Sequence, residues 1–243
     1  MSPIFRNLAF SIVASACVVG VAQSAPVVYS AQNQGANKTV TGPPVTARTT
    51  FEGLLPVVKL REDFETQTVP GVIPTQTSLA FSFGVLTGSL IFPSNETLSG
   101  LGTGVFNTTA GGSKFADITG SFTVTFTDVV NSFGLYFTDL GDFSNSAMTV
   151  NGTTAAGASV SLGTIAIVGG RNANLIFWGF IDDAAAYKSL TFTSNNSGDV
   201  FGVDDLVGAL GELTPPGIPE PASLALVGLA LLGGAAARKF AKR

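Results

Sequence analysis

Between Phe51 and Leu213 the chain changes from apolar to polar at every second residue, again and again. In Leu79-Ala80-Phe81-Ser82-Phe83 the large side chains recur at every other position, and Phe122, Val124 and Phe126 alternate with Ser121, Thr123 and Thr125. Phe133, Leu135 and Phe137 form another line, and Leu190 and Phe192 alternate with Thr191 and Thr193. Successive side chains of a strand point to opposite faces, so this period predicts half-buried antiparallel strands. Gly111-Gly112-Ser113, Asn151-Gly152, Gly169-Gly170 and Asn195-Asn196-Ser197-Gly198 separate the runs and read as turns. Ala184 to Ala186 is the only helical signal, one turn at most. Many short strands with Gly-rich turns predict an all-β domain, a β-sandwich of jelly-roll type over 51–213, large enough to bury a core without cross-links.

The two ends depart from this period. Residues 1–24 read as a secretory signal peptide: Arg6 is the positive start, Leu8 to Ala22 the apolar centre, and Ala22-Gln23-Ser24 a small-residue cleavage pattern. Residues 25–50, rich in Ala, Gln, Asn, Thr and Pro without sustained period, read as a flexible leader, and 214–217 as a linker. Residues 222–237 carry no ionic side chain, and Arg238, Lys239, Lys242 and Arg243 follow. As a helix that segment is about 24 Å long against a hydrocarbon core of about 30 Å. It is therefore a single short transmembrane helix that spans only with some bilayer thinning, its cations held in the cytoplasm. Pro219 and Pro221 keep Glu220 in an extended, presentable conformation just outside.

Composition narrows the chemistry. The chain has no histidine, and its one cysteine, Cys17, lies in the leading apolar segment. Thiol nucleophiles, Ser-His-Asp triads and the usual zinc, copper or haem ligand sets are thereby excluded from the exported part. From Ala25 to Gly217 the acids exceed Lys and Arg by about eight, so nucleic acid is not an expected partner. No phosphate-cradling Gly-rich loop is present, and no organic cofactor is expected.

Asp204 and Asp205 interrupt an apolar run. On a regular strand from Val200 to Val207, Val200, Asp204 and Leu206 share one face, and Phe201, Val203, Asp205 and Val207 the other, so one acid points toward the core. A buried carboxylate needs hydrogen bonds, a cation or a proton. Either loop amides or a structural calcium ion could supply the balance. Asp139 with Asp142, and Asp182 with Asp183, are further pairs; they leave open a glycoside hydrolase with two carboxylates across a cleft, against the reading of Asp139 and Asp142 as turn residues. Tyr136, Trp178 and Tyr187 are either core aromatics or rings that stack on sugars.

The end of the chain, IPEPASLALVGLALLGGAAARKFAKR, closely resembles the PEP-CTERM sorting signal. The resemblance implies that Pro219, Glu220 and Pro221 are the motif recognised by an exosortase-type membrane protease. It further implies that 218–243 is a disposable address on a protein exported through the secretion translocon of a Gram-negative bacterium, held transiently at the inner membrane and passed to the surface or outside. Together with the absent catalytic residue types, this makes the expected protein a non-enzymatic surface or matrix protein associated with extracellular polysaccharide in a biofilm, with carbohydrate binding as a refinement. A permanently anchored envelope protein is the alternative, and the hydrolase a more distant one. Phe201-Gly202-Val203-Asp204-Asp205-Leu206 and Arg61-Glu62-Asp63-Phe64-Glu65 also resemble the last and first strands of calcium-stabilised jelly-roll carbohydrate-binding modules. On that analogy Asp63, Glu65, Asp204 and Asp205 share one calcium ion.

Overall fold

The computed structural model describes residues 24–55, 60–67, 78–83, 86–91, 104–143, 145–168 and 172–210. The expected signal peptide, linker, sorting motif and apolar tail lie outside them, apart from Ser24. In chain order the elements are β1 (Val27–Asn33), α1 (Pro43–Leu54), β2 (Leu60–Glu62), β3 (Ser78–Phe83), β4 (Leu86–Ile91), β5 (Ala116–Thr119), β6 (Phe122–Thr138), β7 (Ala147–Thr154), β8 (Ser159–Ala166), β9 (Leu175–Ile181), β10 (Tyr187–Ser194) and β11 (Val200–Leu210). Among the described residues no helix is long and apolar enough to cross a membrane.

The expectation of an all-β sandwich holds at the level of architecture, and β6 organises it. The lines Phe122–Phe126 and Phe133–Phe137, read separately in the sequence, belong to this one strand of 17 residues. Its first half pairs with β10 and β4, its second half with β9 and β11. It thus passes from one layer into the other. The first layer contains β1, β9, the second half of β6 and β11, with β2 and β5 on the other edge of β11. The second contains β8, β7, β10, the first half of β6, β4 and β3.

Between the layers lies the main core. Phe122, Val124, Phe126, Leu190 and Phe192 come from the second layer, and Phe133, Leu135, Phe137, Trp178 and Phe201 from the first. Phe122 stacks on Phe192 with 4.5 Å between centroids, and Phe137 meets both Phe192 and Phe201 edge-on. Such offset and edge contacts add about 0.5–1.5 kcal/mol per pair beyond burial.

The first layer is also covered on its outer side, which changes the expected domain limits. Residues 27–54 were expected to be mostly a flexible leader; instead they form β1 and α1, and the limit expected at residue 51 falls inside the helix. β1 pairs with β9 from Val27↔Ile181 to Asn33↔Leu175. The pairing is carried by backbone groups, so it left no apolar alternation to read in Val-Val-Tyr-Ser-Ala-Gln-Asn. α1 starts after Gly42 at φ 82°, with Pro43 and Pro44 in its first turn, where their missing N–H groups cost nothing. Its buried face is Pro44, Arg48 and Phe51, followed by Leu55, and an arginine in the middle of that face hid the helical period. With Ala36, Phe106, Tyr136, Leu175, Phe177 and Val207, Phe51 and Leu55 build a second, smaller core.

One turn reading and one helical reading also change, and the turn expected at Gly169-Gly170 lies outside the described residues. Asn151-Gly152 is not a turn but the interior of β7. Gly152 is there because the Tyr187 ring lies against it: a Cβ would stand 2.4 Å from Tyr187 Cδ1. Ala184 to Ala186 are not helical; the carboxylate of Asp182 accepts the amides of Ala184 and Ala185 at 2.9 and 3.1 Å.

Candidate functional site

The polar chemistry concentrates where β11 meets α1 and the segment 104–115. β11 does not alternate regularly. Its pairing with β6 shifts between Asp204 and Val207, and Asp205 takes the left-handed conformation at φ 55°. The extra residue is a bulge, and it resets the faces. Phe201, Val203 and Leu206 all point into the main core, whereas Val207 joins the smaller core beneath the helix. The regular-strand expectation, with Leu206 and Asp204 on one face, is corrected accordingly.

Asp204 is fully buried, yet every oxygen has a protein donor. Oδ2 accepts Thr108 N at 2.7 Å and Thr108 Oγ1 at 2.8 Å, and Oδ1 accepts the amide of Asp205 at 2.7 Å. Burial is the dominant influence on its pKa, which stands at about 7 despite these bonds. Asp205 instead turns to α1: Arg48 Nη1 lies 2.9 Å from its Oδ2 and donates to its backbone oxygen at 2.9 Å. Arg48 Nε donates to Glu52 at 2.6 Å, and the more exposed Arg61 bonds Glu52 at 2.9 Å. The guanidinium carbon also sits 4.7 Å above the centre of the Tyr136 ring. Burial pulls the Arg48 pKa down, but Asp205 and Glu52 outweigh it, and the net direction is upward. This network pins the helix to the sheet, with the charge balanced where it is desolvated, although Arg48 Nη2 is buried without a hydrogen-bond partner.

The other two acids expected around calcium lie in the segment after β2 and have different partners. Glu65 Oε1 accepts Asn107 Nδ2 and the amides of Ser113 and Lys114, each at 2.8 Å. Lys114 Nζ returns to the backbone oxygens of Glu65 and Gln67 at 2.7 and 2.6 Å. Asp63 Oδ1 caps the amide of Glu65 at 3.1 Å. The four acids are therefore not brought round one point, and no group of three or more acidic residues among those described is placed to hold a metal ion. Of the two sequence alternatives, loop amides are the partners the structure shows. Short segments carry unpaired backbone N–H groups that burial makes costly, and a carboxylate accepts several at once.

The same use recurs at the opposite end. Asp199 Oδ2 accepts Gly141 N at 2.7 Å, and Asp139 Oδ1 accepts Ala173 N at 2.5 Å, both from buried positions. Burial raises the pKa of Asp139 to about 6, with Asp142 and Asp199 adding to it and the Ala173 amide opposing; burial likewise raises Asp142 and Asp199. Asp139 and Asp142 sit in the segment after β6, as turn residues rather than across a cleft.

The three aromatic residues considered for sugar stacking are core residues. Tyr136, Trp178 and Tyr187 are 2%, 1% and 0% exposed, so no ring face is open to a ligand. Trp178 meets Phe192 edge-on at 5.2 Å, and Tyr187 donates its hydroxyl to Asp182 at 2.5 Å. Burial pushes the Tyr136 phenol up to about 12, against the pull of Arg48. Each ring was ambiguous in the sequence because its neighbours along the strand are apolar whether the second face is covered or free.

Arg48, Thr108, Asn107, Lys114 and Asp199 carry these networks, and nothing in the sequence marked them as partners of the acids. Arg48 offered one signal, a lone cation at the i+4 and i−3 positions of Pro44 and Phe51. The others act across long separations that no local pattern encodes.

Fold and site together define a β-sandwich whose carboxylates fasten loops, joined to a C-terminal apolar tail. Residues 217–239 match the family model of the PEP-CTERM protein-sorting motif, so the chain carries a PEP-CTERM sorting domain. No curated protein matches the chain. Among solved structures it is similar to the C-terminal family 22 carbohydrate-binding module of Clostridium thermocellum Xyn10B, at 14% identity and a TM-score of 0.34, over 54% of this chain and 90% of that one. It is also similar to the CBM22-1–GH10 modules of the Clostridium thermocellum endo-1,4-β-D-xylanase 10B solved with xylohexaose, at 11% identity and a TM-score of 0.31; there it covers 63% of this chain and 28% of the other.

Proposed function

We propose that this is an exported, non-enzymatic protein of the cell surface or extracellular matrix, delivered by its C-terminal signal and associated with extracellular polysaccharide. The observation that carries the reading is the match of 217–239 to the sorting motif. In this reading Pro219, Glu220 and Pro221 present an extended tripeptide to an exosortase-type membrane protease, after translocation has been arrested by the apolar run and its cations. The β-domain is the cargo. Its structural use of carboxylates supports a non-catalytic role: Asp139, Asp182, Asp199 and Asp204 each accept backbone amides, which pins loops rather than leaving an acid and a base aimed at a substrate. The outer face of the second layer, where Asp128 and Lys188 are the ionic residues of the strands, supports contact with a neutral polymer.

Intact mass of the protein recovered outside the producing cell tests the sorting step. The expected mass lacks the apolar tail and its cations, and Glu220→Ala accumulates the unprocessed form at the membrane. Secreted protein that still carries Phe240 and Arg243, or normal maturation of Glu220→Ala, overturns the reading.

A further inference from the structure

The outer face of the second layer is built almost without charge. The register places Ser89, Thr125, Ser189, Thr153 and Ser159 side by side across β4, β6, β10, β7 and β8. The next row is Ile91, Thr123, Thr191, Asn151 and Ser161. All ten side chains are exposed or half-buried. Neighbouring strands lie about 4.8 Å apart, so each row extends about 19 Å, with rows about 7 Å from one another along the strands. The ionic residues of these strands, Asp128 and Lys188, are at one end, beside the bend of β6. There the rows open into a groove of about 550 Å³ whose lining mixes polar residues, among them Gln67, Ser82, Thr87 and Thr127, with the apolar Phe81 and Phe126.

Five of the threonine hydroxyls on this face are held in place before any ligand arrives. Thr127 Oγ1 donates to Thr87 O at 2.8 Å, Thr87 Oγ1 is 3.0 Å from Thr127 Oγ1, Thr125 Oγ1 donates to Ser89 O at 3.3 Å, and Thr123 and Thr191 share a 3.3 Å contact. Fixed rotamers lower the entropy lost on binding. A solvated sheet face ordinarily intersperses Lys, Glu and Arg, which also guard against association. Here Ser, Thr and Asn stand instead: Thr125 and Thr127, whose protons are already donated to backbone oxygens, present lone pairs to a partner, and the serines and Asn151 present donors as well.

We propose that this face, with the groove at its end, is the contact surface for an uncharged polyhydroxylated polymer, a neutral polysaccharide. The assignment rests on the preceding functional reading and specifies where and what the protein binds. An ionic polymer finds no counter-charge in the rows and meets an acidic protein, which disfavours acidic polysaccharides. A protein partner would lack the apolar centre that drives such docking, Ile91 being the one large exposed hydrophobe in the rows. A repeating row of like groups matches a repeating chain.

The test is affinity gel electrophoresis of the full-length protein in detergent, with hydroxyethylcellulose as the neutral probe and alginate as the charged one. Retardation by hydroxyethylcellulose alone is expected. The double variant Thr125→Val, Thr191→Val, which keeps the β-branched shape, should weaken it at least tenfold, as should Ser161→Glu at an exposed position. Thr49→Ala on the far side of α1 should retain it, and matching thermal unfolding curves show that each variant is folded. Equal retardation of wild type and both face variants overturns the assignment of this face and leaves polysaccharide association standing. Retardation by alginate alone overturns the neutral class. Retardation by neither polymer removes the polysaccharide reading itself, and this assignment with it.

Discussion

The two halves of β6 live under different rules. From Phe122 to Thr127 every second residue is buried and its neighbours face water; from Phe133 to Thr138 all are buried. The first half alternates Phe, Val and Phe with threonines, and the second reads Phe-Gly-Leu-Tyr-Phe-Thr with scarcely a polar side chain. The difference comes from α1, which with Leu55 and Phe106 packs over the outer face of the second half, whereas no described element packs over that of the first. One strand thus carries both the solvated face and the floor of the smaller core. A continuous apolar run signals two covered faces.

Arg48→Ala should break the comparison most deeply. It leaves Asp205 and Glu52 without their buried cation, and such losses cost about 3–5 kcal/mol. Denaturant unfolding measures it, and the outer Thr rows should be unaffected in hydrogen exchange while α1 loses protection. Gly134→Ala comes next. A Cβ there would stand 2.9 Å from the Phe177 ring and 3.2 Å from that of Phe51, and overpacking of this kind costs about 1–3 kcal/mol. On the open half, Thr125→Val should change stability by about 0.5 kcal/mol or less.

Acidity sharpens the same contrast. Asp204 at about 7 and Asp139 at about 6 hold protons in the folded state that the unfolded chain releases near 3.8. Between those values the native state binds more protons than the unfolded one, so stability is highest on the acid side and falls as pH rises from about 4 toward 7. Unfolding midpoints at pH 5 should therefore exceed those at pH 8, and Asp204→Asn should flatten the slope. The smallest effect is expected from chelation. Asp204, Asp205 and Glu65 have protein donors on their oxygens, and EDTA should leave the thermal midpoint unchanged.

The strands were legible because burying one face of a sheet imposes a period of two on the residues themselves. Phe81, Phe122, Phe137 and Phe192 all stand where that period put them. α1 was not legible. Its inner face carries Arg48, whose burial is tolerable only because Asp205, 157 positions later, lies opposite. The acids of β11 illustrate the same limit. Their presence in an apolar run announced that burial had to be compensated, but the compensating groups, Thr108 and Arg48, come from distant segments.

From the residues alone came the pleated cargo, its aromatic core and the address at its end, since backbone period, hydrocarbon thickness and a short charged boundary all act on neighbouring positions. Folding alone decided which face of each strand would be covered twice, which carboxylate would meet an amide and which a guanidinium, and where an uncharged surface would stay open. Those outcomes depend on which remote groups the closing sheet brings within about 3 Å of one another, and hydrogen bonding has no reach beyond that.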